Sequence, residues 1–218
     1  MRKTALTIVM FIITVLSLQA QNKVDLDIIK ETVQNEKEYY NDILNVYLTD
    51  DPYIRKDDIA LIYYGQAYLP TYKGGNDANE EMLKTYVSES NQRKIYYTAK
   101  KILEYNPVSL NALFYAWRSA EALGLTEAEA TSYVKKYLSL LEMIITTNDG
   151  KSSKTAFKVI SPDDQDHILY GILDIEEVKS RDLDTQTLCN IIRVEPSEKF
   201  QSRTMYIDVS LPLSHIEK

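Results

Sequence analysis

The chain has 218 residues, of which 44% are apolar and 26% are charged, and its formal net charge is −7 at pH 7. This balance is typical of a folded globular protein and excludes an intrinsically disordered chain. The acidic charge argues against a nucleic-acid partner, and the single cysteine, Cys189, excludes a disulfide scaffold and a cysteine zinc site.

Residues 1–20 have the layout of a secretory signal peptide. Arg2 and Lys3 form a basic start, residues 5–16 are apolar except for two threonines, and Ala20 is a small residue at a cleavage point. The apolar run is shorter than the roughly 20 residues of a membrane span, although an uncleaved anchor is the alternative. We expect a cleaved leader, export to the periplasm or beyond the cell, no lipoprotein cysteine and no later membrane span.

The part from residue 21 to residue 147 has the apolar period of helices. Stripes of apolar residues that begin at Tyr40, Leu110 and Ala130 recur at i, i+3, i+4 and i+7, which places each stripe on one helix face. We expect this part to be helical throughout, apart from the loop described below.

Local signals predict where these helices begin and end. Thr126, followed three residues later by Glu129, is a capping box that predicts the start of the last helix. Gly124 after Leu123 predicts a helix end, and so does Asn106 before Pro107, because the residue before proline avoids the helical region.

Residues 69–91 interrupt the helical pattern. Pro70, Gly74, Gly75 and Asn76 predict a loop, and a short helix follows at about residues 80–87. Loops of this length inside a compact domain are often functional or mobile.

Residues 148–218 predict a small mixed unit. A turn at residues 148–150 and a helix start at Ser161-Pro162-Asp163-Asp164, with the helix running to about Leu173, open this part. Apolar runs predict strands at residues 156–160, 188–194 and 204–211, with a weaker candidate at 176–183. The fold class is therefore α+β, with one helix and three to four mostly antiparallel strands packed on the helical part as one continuous domain.

The helical part resembles tetratricopeptide-like repeats. Residues 102–107 look like the end of one repeat, and residues 63–68 look like the first helix of another, in which Gly65 lets a neighbouring helix approach. Large, small and turn residues follow at similar spacing in the next helix pair, at Leu113, Ala116, Trp117, Ala120, Leu123 and Gly124. The small residue Ala130 stands one place away from the usual spacing, so the resemblance covers at most two irregular units. It implies a peptide- or protein-binding face.

The mature chain also resembles a family of exported bacterial proteins, found mainly in the Bacteroidetes, known as domain of unknown function 4919. The resembling stretches are residues 63–68, Asn106-Pro107, residues 149–152 and residues 155–160. The resemblance implies export but no particular activity.

Two short motifs suggest ligands. Gly150-Lys151-Ser152 ends like a phosphate-binding loop, but Ile145 stands where that motif needs a glycine, so we interpret it as a turn. Asp163 and His167 share a helix face at i and i+4 and form a weak candidate metal pair. The alternative is that the acids of this segment complement the helix start.

Sequence alone assigns no catalytic residue and no cofactor. His167 and His215 are the two histidines, and neither has a serine or cysteine beside it in a nucleophile motif. Export also argues against cytosolic cofactors such as ATP or NAD. We therefore lean towards a protein that is not an enzyme.

Tyrosine is unusually frequent, with 17 residues, 15 of them before residue 138. Packing between helices is one explanation, with one ring of each adjacent pair buried and the other nearer the surface. A recognition surface is the other explanation, and the candidate residues are Tyr63, Tyr68 and Tyr72 beside the long loop.

Two functions follow as hypotheses. The first is an exported, non-enzymatic module that binds an envelope protein or peptide, as a monomer or weak oligomer. The alternative is an exported hydrolase that acts on glycan or peptide through carboxylates at the junction of the two parts.

Overall fold

The structure is a computed structural model, and it describes residues 24–75 and 77–216. The expected signal peptide lies outside the described residues. Within them, a helical N-terminal part packs against a four-stranded mixed sheet, which confirms the predicted α+β class. No helix in the described part of the chain is long and apolar enough to cross a membrane.

The N-terminal part is built of seven described helices. They are α1 (Leu26–Asn35), α2 (Lys37–Leu48), α3 (Lys56–Gly65), α4 (Ala78–Ser88), α5 (Gln92–Leu103), α6 (Leu110–Ala122) and α7 (Glu127–Thr147), with a 3₁₀ turn at Gln66–Tyr68 after α3. Side chains cap several starts, and Thr126 accepts from the backbone nitrogen of Glu129 at the start of α7, as predicted.

Helices α4 to α7 pack against one another in chain order, and α3 packs against α7. Gly65 at the end of α3 allows the close approach that its sequence context predicts. A methyl group at this position would lie 2.8 Å from the ring of Tyr40 and 3.0 Å from Val33. Helix α3 is thereby enclosed between α1, α2 and α7, and every residue from Asp58 to Gly65 is buried.

The C-terminal unit contains β1 (Phe157–Lys158), α8 (Asp164–Asp166, continued as a π-helical segment, His167–Ile172), β2 (Val178–Asp184), β3 (Cys189–Val194), β4 (Thr204–Asp208) and α9 (Ser210–Ile216). The strand order is β1-β4-β3-β2, with β1 parallel to β4 and the other pairs antiparallel. Cys189, at the start of β3, is 1% exposed and therefore buried.

Two predicted strand boundaries are wrong. The strand at residues 204–211 ends at Asp208, because the Asp208 carboxylate accepts from the nitrogen of Ser210 at 2.9 Å and α9 begins there. The strand predicted at 156–160 is shortened to Phe157–Lys158, which pair with Ile207 and Asp208 of β4, and the nitrogen of Val159 donates one further hydrogen bond to the carbonyl of Asp208 at 3.2 Å. The helix predicted to run to about Leu173 ends at Ile172, but after Asp166 it changes from the α-helical to the wider π-helical pattern.

The apolar core is continuous across the sequence boundary between residues 147 and 148. Tyr63 and Ile144 of the helical part belong to the same buried cluster as Phe157, Ile192 and Ile207 of the sheet. The sheet is therefore the partner surface that the irregular helices need to bury their apolar faces.

Candidate functional site

The junction between the two parts is built around Tyr63 and Asp164. The hydroxyl of Tyr63, which is fully buried, donates to Oδ2 of Asp164 at 2.7 Å. The same hydroxyl accepts from the backbone nitrogen of Ile160 at 3.3 Å, and Asp164 also accepts from the nitrogen of Ser161 at 2.9 Å. Burial raises the pKa of the Asp164 carboxyl to about 7, and these hydrogen bonds oppose that increase.

Two of the three tyrosines expected on a recognition surface are buried. Tyr72 is 8% exposed, and its hydroxyl donates to the carbonyl of Ile160. Tyr68 is half-buried against the core. The expected exposure of Tyr63 and Tyr72 is wrong, because α3 is buried from Asp58 to Gly65 and Tyr72 fills the seam between the loop after α3 and the C-terminal unit.

Glu80, near the start of α4, is a second buried carboxyl group at this junction. It accepts from Oγ of Ser109 at 2.8 Å and from Nδ2 of Asn111 at 3.2 Å, and burial raises its pKa. Glu80 and Asp164 line one enclosed cavity of about 10 Å³, which has room for about one water molecule. The carboxylates expected at the junction therefore converge, but in a space too small for a sugar or peptide.

The candidate metal residues Asp163 and His167 have protein partners. Asp163 forms an ion pair with Lys84 at 3.0 Å, and Nδ1 of His167 shares a 3.1 Å hydrogen bond with the hydroxyl of Tyr137. Within residues 24–75 and 77–216 no group of three or more His, Cys, Asp or Glu side chains is arranged to hold a metal. The metal pair stays a prediction.

His167 lies among aromatic rings at the start of the π-helical segment. Its ring centroid is 5.4 Å from that of Tyr137 and 5.5 Å from that of Phe114. Burial lowers the pKa of His167 to about 4, which keeps the imidazole neutral at physiological pH. Gly171 leaves room for this arrangement, because a methyl group there would lie 2.4 Å from the hydroxyl of Tyr137.

An open groove lies away from the junction, between α1, the first half of α3 and the end of α7. We call it the α1–α3 groove, and it encloses about 770 Å³. Two large apolar side chains line it while remaining accessible to solvent, since Ile28 is 61% exposed and Tyr39 is 44% exposed. Ala60 and Leu61 of α3 form its buried floor.

One ion pair, between Arg55 and Asp58, fixes the positions of two polar side chains at the rim of the α1–α3 groove. Nε and Nη2 of Arg55 donate to Asp58 at 2.9 and 2.7 Å, and this fork geometry lowers the pKa of the Asp58 carboxyl. Lys56 and Asp57 are exposed beside the pair. The groove therefore combines exposed apolar side chains with a polar rim of three acids, Asp25, Asp57 and Asp58, and two bases, Arg55 and Lys56.

The sequence alone predicts neither the burial of Glu80 nor the groove. The signal for Glu80 is its position on the apolar face of α4, three residues before Leu83 and seven before Val87. The signal for the groove is weaker, because Ile28 stands beside the buried Ile29 and only the structure shows that its side chain faces solvent.

Comparison with known families gives one result. A family model described as Domain of unknown function (DUF4919) matches residues 27–218. No curated protein and no solved structure matches the chain.

Proposed function

We propose that this chain, which belongs to the DUF4919 family, is a non-enzymatic module that binds a segment of a partner protein in the α1–α3 groove. The observation that carries the proposal is the pair of solvent-accessible apolar side chains, Ile28 and Tyr39, on a concave surface of ligand-binding size. Exposed apolar side chains gathered in a groove mark interaction sites more often than scattered ones do.

The shape of the groove favours a peptide segment over a flat protein surface. Its volume of about 770 Å³ accommodates a few residues, and its floor is formed by buried residues of helix α3. The partner segment would place one or two apolar side chains against Ile28 and Tyr39. Its backbone and polar groups would meet the rim at Arg55 and Asp58.

Capture from an envelope extract tests this function. The purified chain serves as bait after mild cross-linking, beside a variant in which Ile28→Asp and Tyr39→Ala alter the groove. Tyr53→Ala is the matched control, because Tyr53 is 88% exposed and does not line the groove. A partner held by wild type and by the control, but lost from the groove variant, supports the proposal. Equal capture by all three baits contradicts it.

We further propose that the protein works outside the cytoplasm. The basic start, the apolar run and Ala20 within residues 1–20 support export. Amino-terminal sequencing of the protein recovered from the periplasm or medium tests this, and a first residue of Gln21 is expected. Recovery of an intact amino terminus from the cytosol would contradict it.

For the hydrolase alternative, Glu80 and Asp164 are the candidate catalytic carboxyl groups. Glu80 and Asp164 converge at the junction, but their cavity of about 10 Å³ admits no substrate in the form described. The binding function is therefore the better supported one.

A further inference from the structure

Three helix ends meet at the α1–α3 groove, and acidic side chains of the chain itself complement two of them. The carboxylate of Asp25 accepts from the backbone nitrogens of Asp27 and Ile28 at the start of α1. At the start of α3, the carboxylate of Asp58 accepts from the backbone nitrogen of Arg55. Acids are favourable at these positions because the amino-terminal end of a helix carries partial positive charge. The positive ends of α1 and α3 therefore already have their counter-charges.

The third helix end is the carboxyl-terminal end of α7, which carries the opposite partial charge. Thr146 and Thr147, the last two residues of α7, line the groove. Their hydroxyl groups donate back into the helix, to the carbonyls of Met143 and Ile144. The carbonyls of Ile145, Thr146 and Thr147 accept no hydrogen bond from residues 24–75 or 77–216, and the last turn of α7 contains no basic residue. This negative end of a 21-residue helix therefore has no counter-charge in its own last turn.

The charged side chains that line the groove leave an acidic excess. Arg55 is engaged by Asp58, since two of its nitrogens donate to that carboxylate. The other charged residues of the lining are Asp25, Asp57 and Lys56, and neither Asp57 nor Lys56 forms an ion pair in the part of the chain that the structure describes. Three acids against two bases give the lining a net charge of −1. The end of α7 adds partial negative charge to it.

We infer that the segment bound in the α1–α3 groove carries a lysine or arginine beside its apolar side chains, and that this cation binds at the end of α7. The inference rests on the proposed peptide-binding function and names the chemistry of the occupant. A cation at this position interacts favourably with the free carbonyls of α7 and with the acidic excess of the lining. Contact with Ile28 and Tyr39 distinguishes poorly between apolar segments, so the cation provides the selectivity.

Occupants of other charge fit the groove less well. An acidic segment would meet the excess of like charge, and Arg55, one of the two bases, already donates to Asp58. A purely apolar occupant would cover Ile28 and Tyr39 but would remove water from the carbonyls at the end of α7 without replacing its hydrogen bonds, which is unfavourable. The formal net charge of −7 on the whole chain also attracts basic partners.

Selection of peptides from a random displayed library tests the charge of the occupant, with wild type, Thr146→Lys and Thr185→Lys as separate targets. Thr146→Lys places a cation of the chain itself at the exposed end of α7, where it suits the helix and competes with a cation of the peptide. Thr185→Lys makes the same charge change in the exposed turn between β2 and β3, which does not line the groove, and is the matched control. Circular dichroism checks the folding of each variant.

The peptides that count are those whose binding is lost on Ile28→Asp. Among them we expect lysine and arginine to be at least about twofold more frequent than in the unselected library, both on wild type and on Thr185→Lys, and not enriched on Thr146→Lys. Replacing the basic residue of a selected peptide by glutamine should weaken its binding to wild type by about threefold to tenfold. The same replacement should change binding to Thr146→Lys by less than about twofold.

The outcomes separate this inference from the proposed function. Groove-binding peptides that lack basic residues, or a basic preference that persists in full on Thr146→Lys, overturn the inference and leave the binding function in place. A library that gives no peptide sensitive to Ile28→Asp contradicts the binding function and the inference together. If Thr146→Lys does not fold, Asp57→Asn removes an exposed acid of the lining and should reduce the preference, with Asp182→Asn on β2 as its control.

Discussion

The hydroxyl of Tyr63 donates a 2.7 Å hydrogen bond to Asp164, 101 residues further along the chain, and neither side chain contacts solvent appreciably. This bond joins the helical part to the C-terminal unit at the point where the sequence changes period. Loss of this bond should therefore change the stability of the fold, and the bond opposes the effect of burial on the pKa of Asp164.

Tyr63→Phe removes this hydrogen bond without changing the size of the ring. We expect a loss of about 1–3 kcal/mol in the free energy of unfolding, because a buried carboxyl group and the Ile160 nitrogen each lose a partner. Urea denaturation measures the change. Tyr53→Phe, at an exposed ring, is the control and should change stability little. Equal stability of the two variants would show that the Tyr63 bond contributes nothing.

Asp164 makes folding stability depend on pH in a defined direction. Its pKa is about 7 in the folded chain and about 3.9 in an unfolded chain, so the folded state binds the proton more tightly. Its contribution is fully present below about pH 4 and is lost as pH rises through 7. The free energy of unfolding of Asp164→Asn, relative to that of wild type, should increase by about 1.4 kcal/mol per pH unit between about pH 4 and about pH 7. Urea denaturation of both proteins across this range measures the difference. A difference in unfolding free energy that does not vary with pH would contradict a buried, protonated carboxyl group at Asp164.

The pKa of His167 is shifted in the opposite direction, so its contribution to stability depends on pH with the opposite sign. Its pKa is about 4 in the folded chain and about 6.5 when unfolded, so its contribution is present above about pH 6.5 and is lost as pH falls through 4. NMR titration of the ring protons measures this directly, with the two histidines distinguished by His215→Gln. We expect the His167 signal to shift only below about pH 5. A midpoint near pH 6.5 would mean that the imidazole is solvated.

Gly65→Ala tests the close packing of α3. The added methyl group would meet the rings and methyls of Tyr40 and Val33, both of which are buried. We expect a loss of about 1–3 kcal/mol from overpacking, reduced by a gain of up to about 1 kcal/mol in helix propensity. Thermal denaturation provides the measurement. Gly124→Ala is the comparison, because nothing lies near its added methyl group and only its positive φ opposes the change. A stabilised Gly65→Ala variant would contradict the packing described.

Helix stripes, caps and glycine turns predicted most of the fold because these signals are local. Thr126 caps α7 and Gly124 ends α6 with φ +66°, as their sequence contexts indicate. The strand at residues 204–211 was overextended because alternation continues through Val209 to Leu211, whereas the carboxylate of Asp208 starts a helix there.

The functional residues were harder to predict because their environment depends on distant contacts. Adjacent tyrosines on an amphipathic helix point to different faces, which suggested that one of each pair is accessible. The second half of α3 is buried on every face, so Tyr63 and Tyr64 are both inaccessible to solvent. Glu80 and Asp164 are 84 residues apart in sequence, and only the tertiary fold brings them to one cavity, where Lys84 of α4 also pairs with Asp163. Periodicity carries no information about such pairs.

Peptide binding in the α1–α3 groove is tested most directly by measuring the affinity of the chain for selected peptides. Peptides selected from a random displayed library against the purified chain would be labelled, and their dissociation constants measured by fluorescence polarisation for wild type, Ile28→Asp, Tyr39→Ala and Tyr53→Ala. We expect each groove variant to weaken binding by about tenfold or more and Tyr53→Ala to change it by less than about twofold, as loss of central apolar contacts does. Peptides that bind all four proteins equally, or a folded chain that selects no peptide, would contradict the claim.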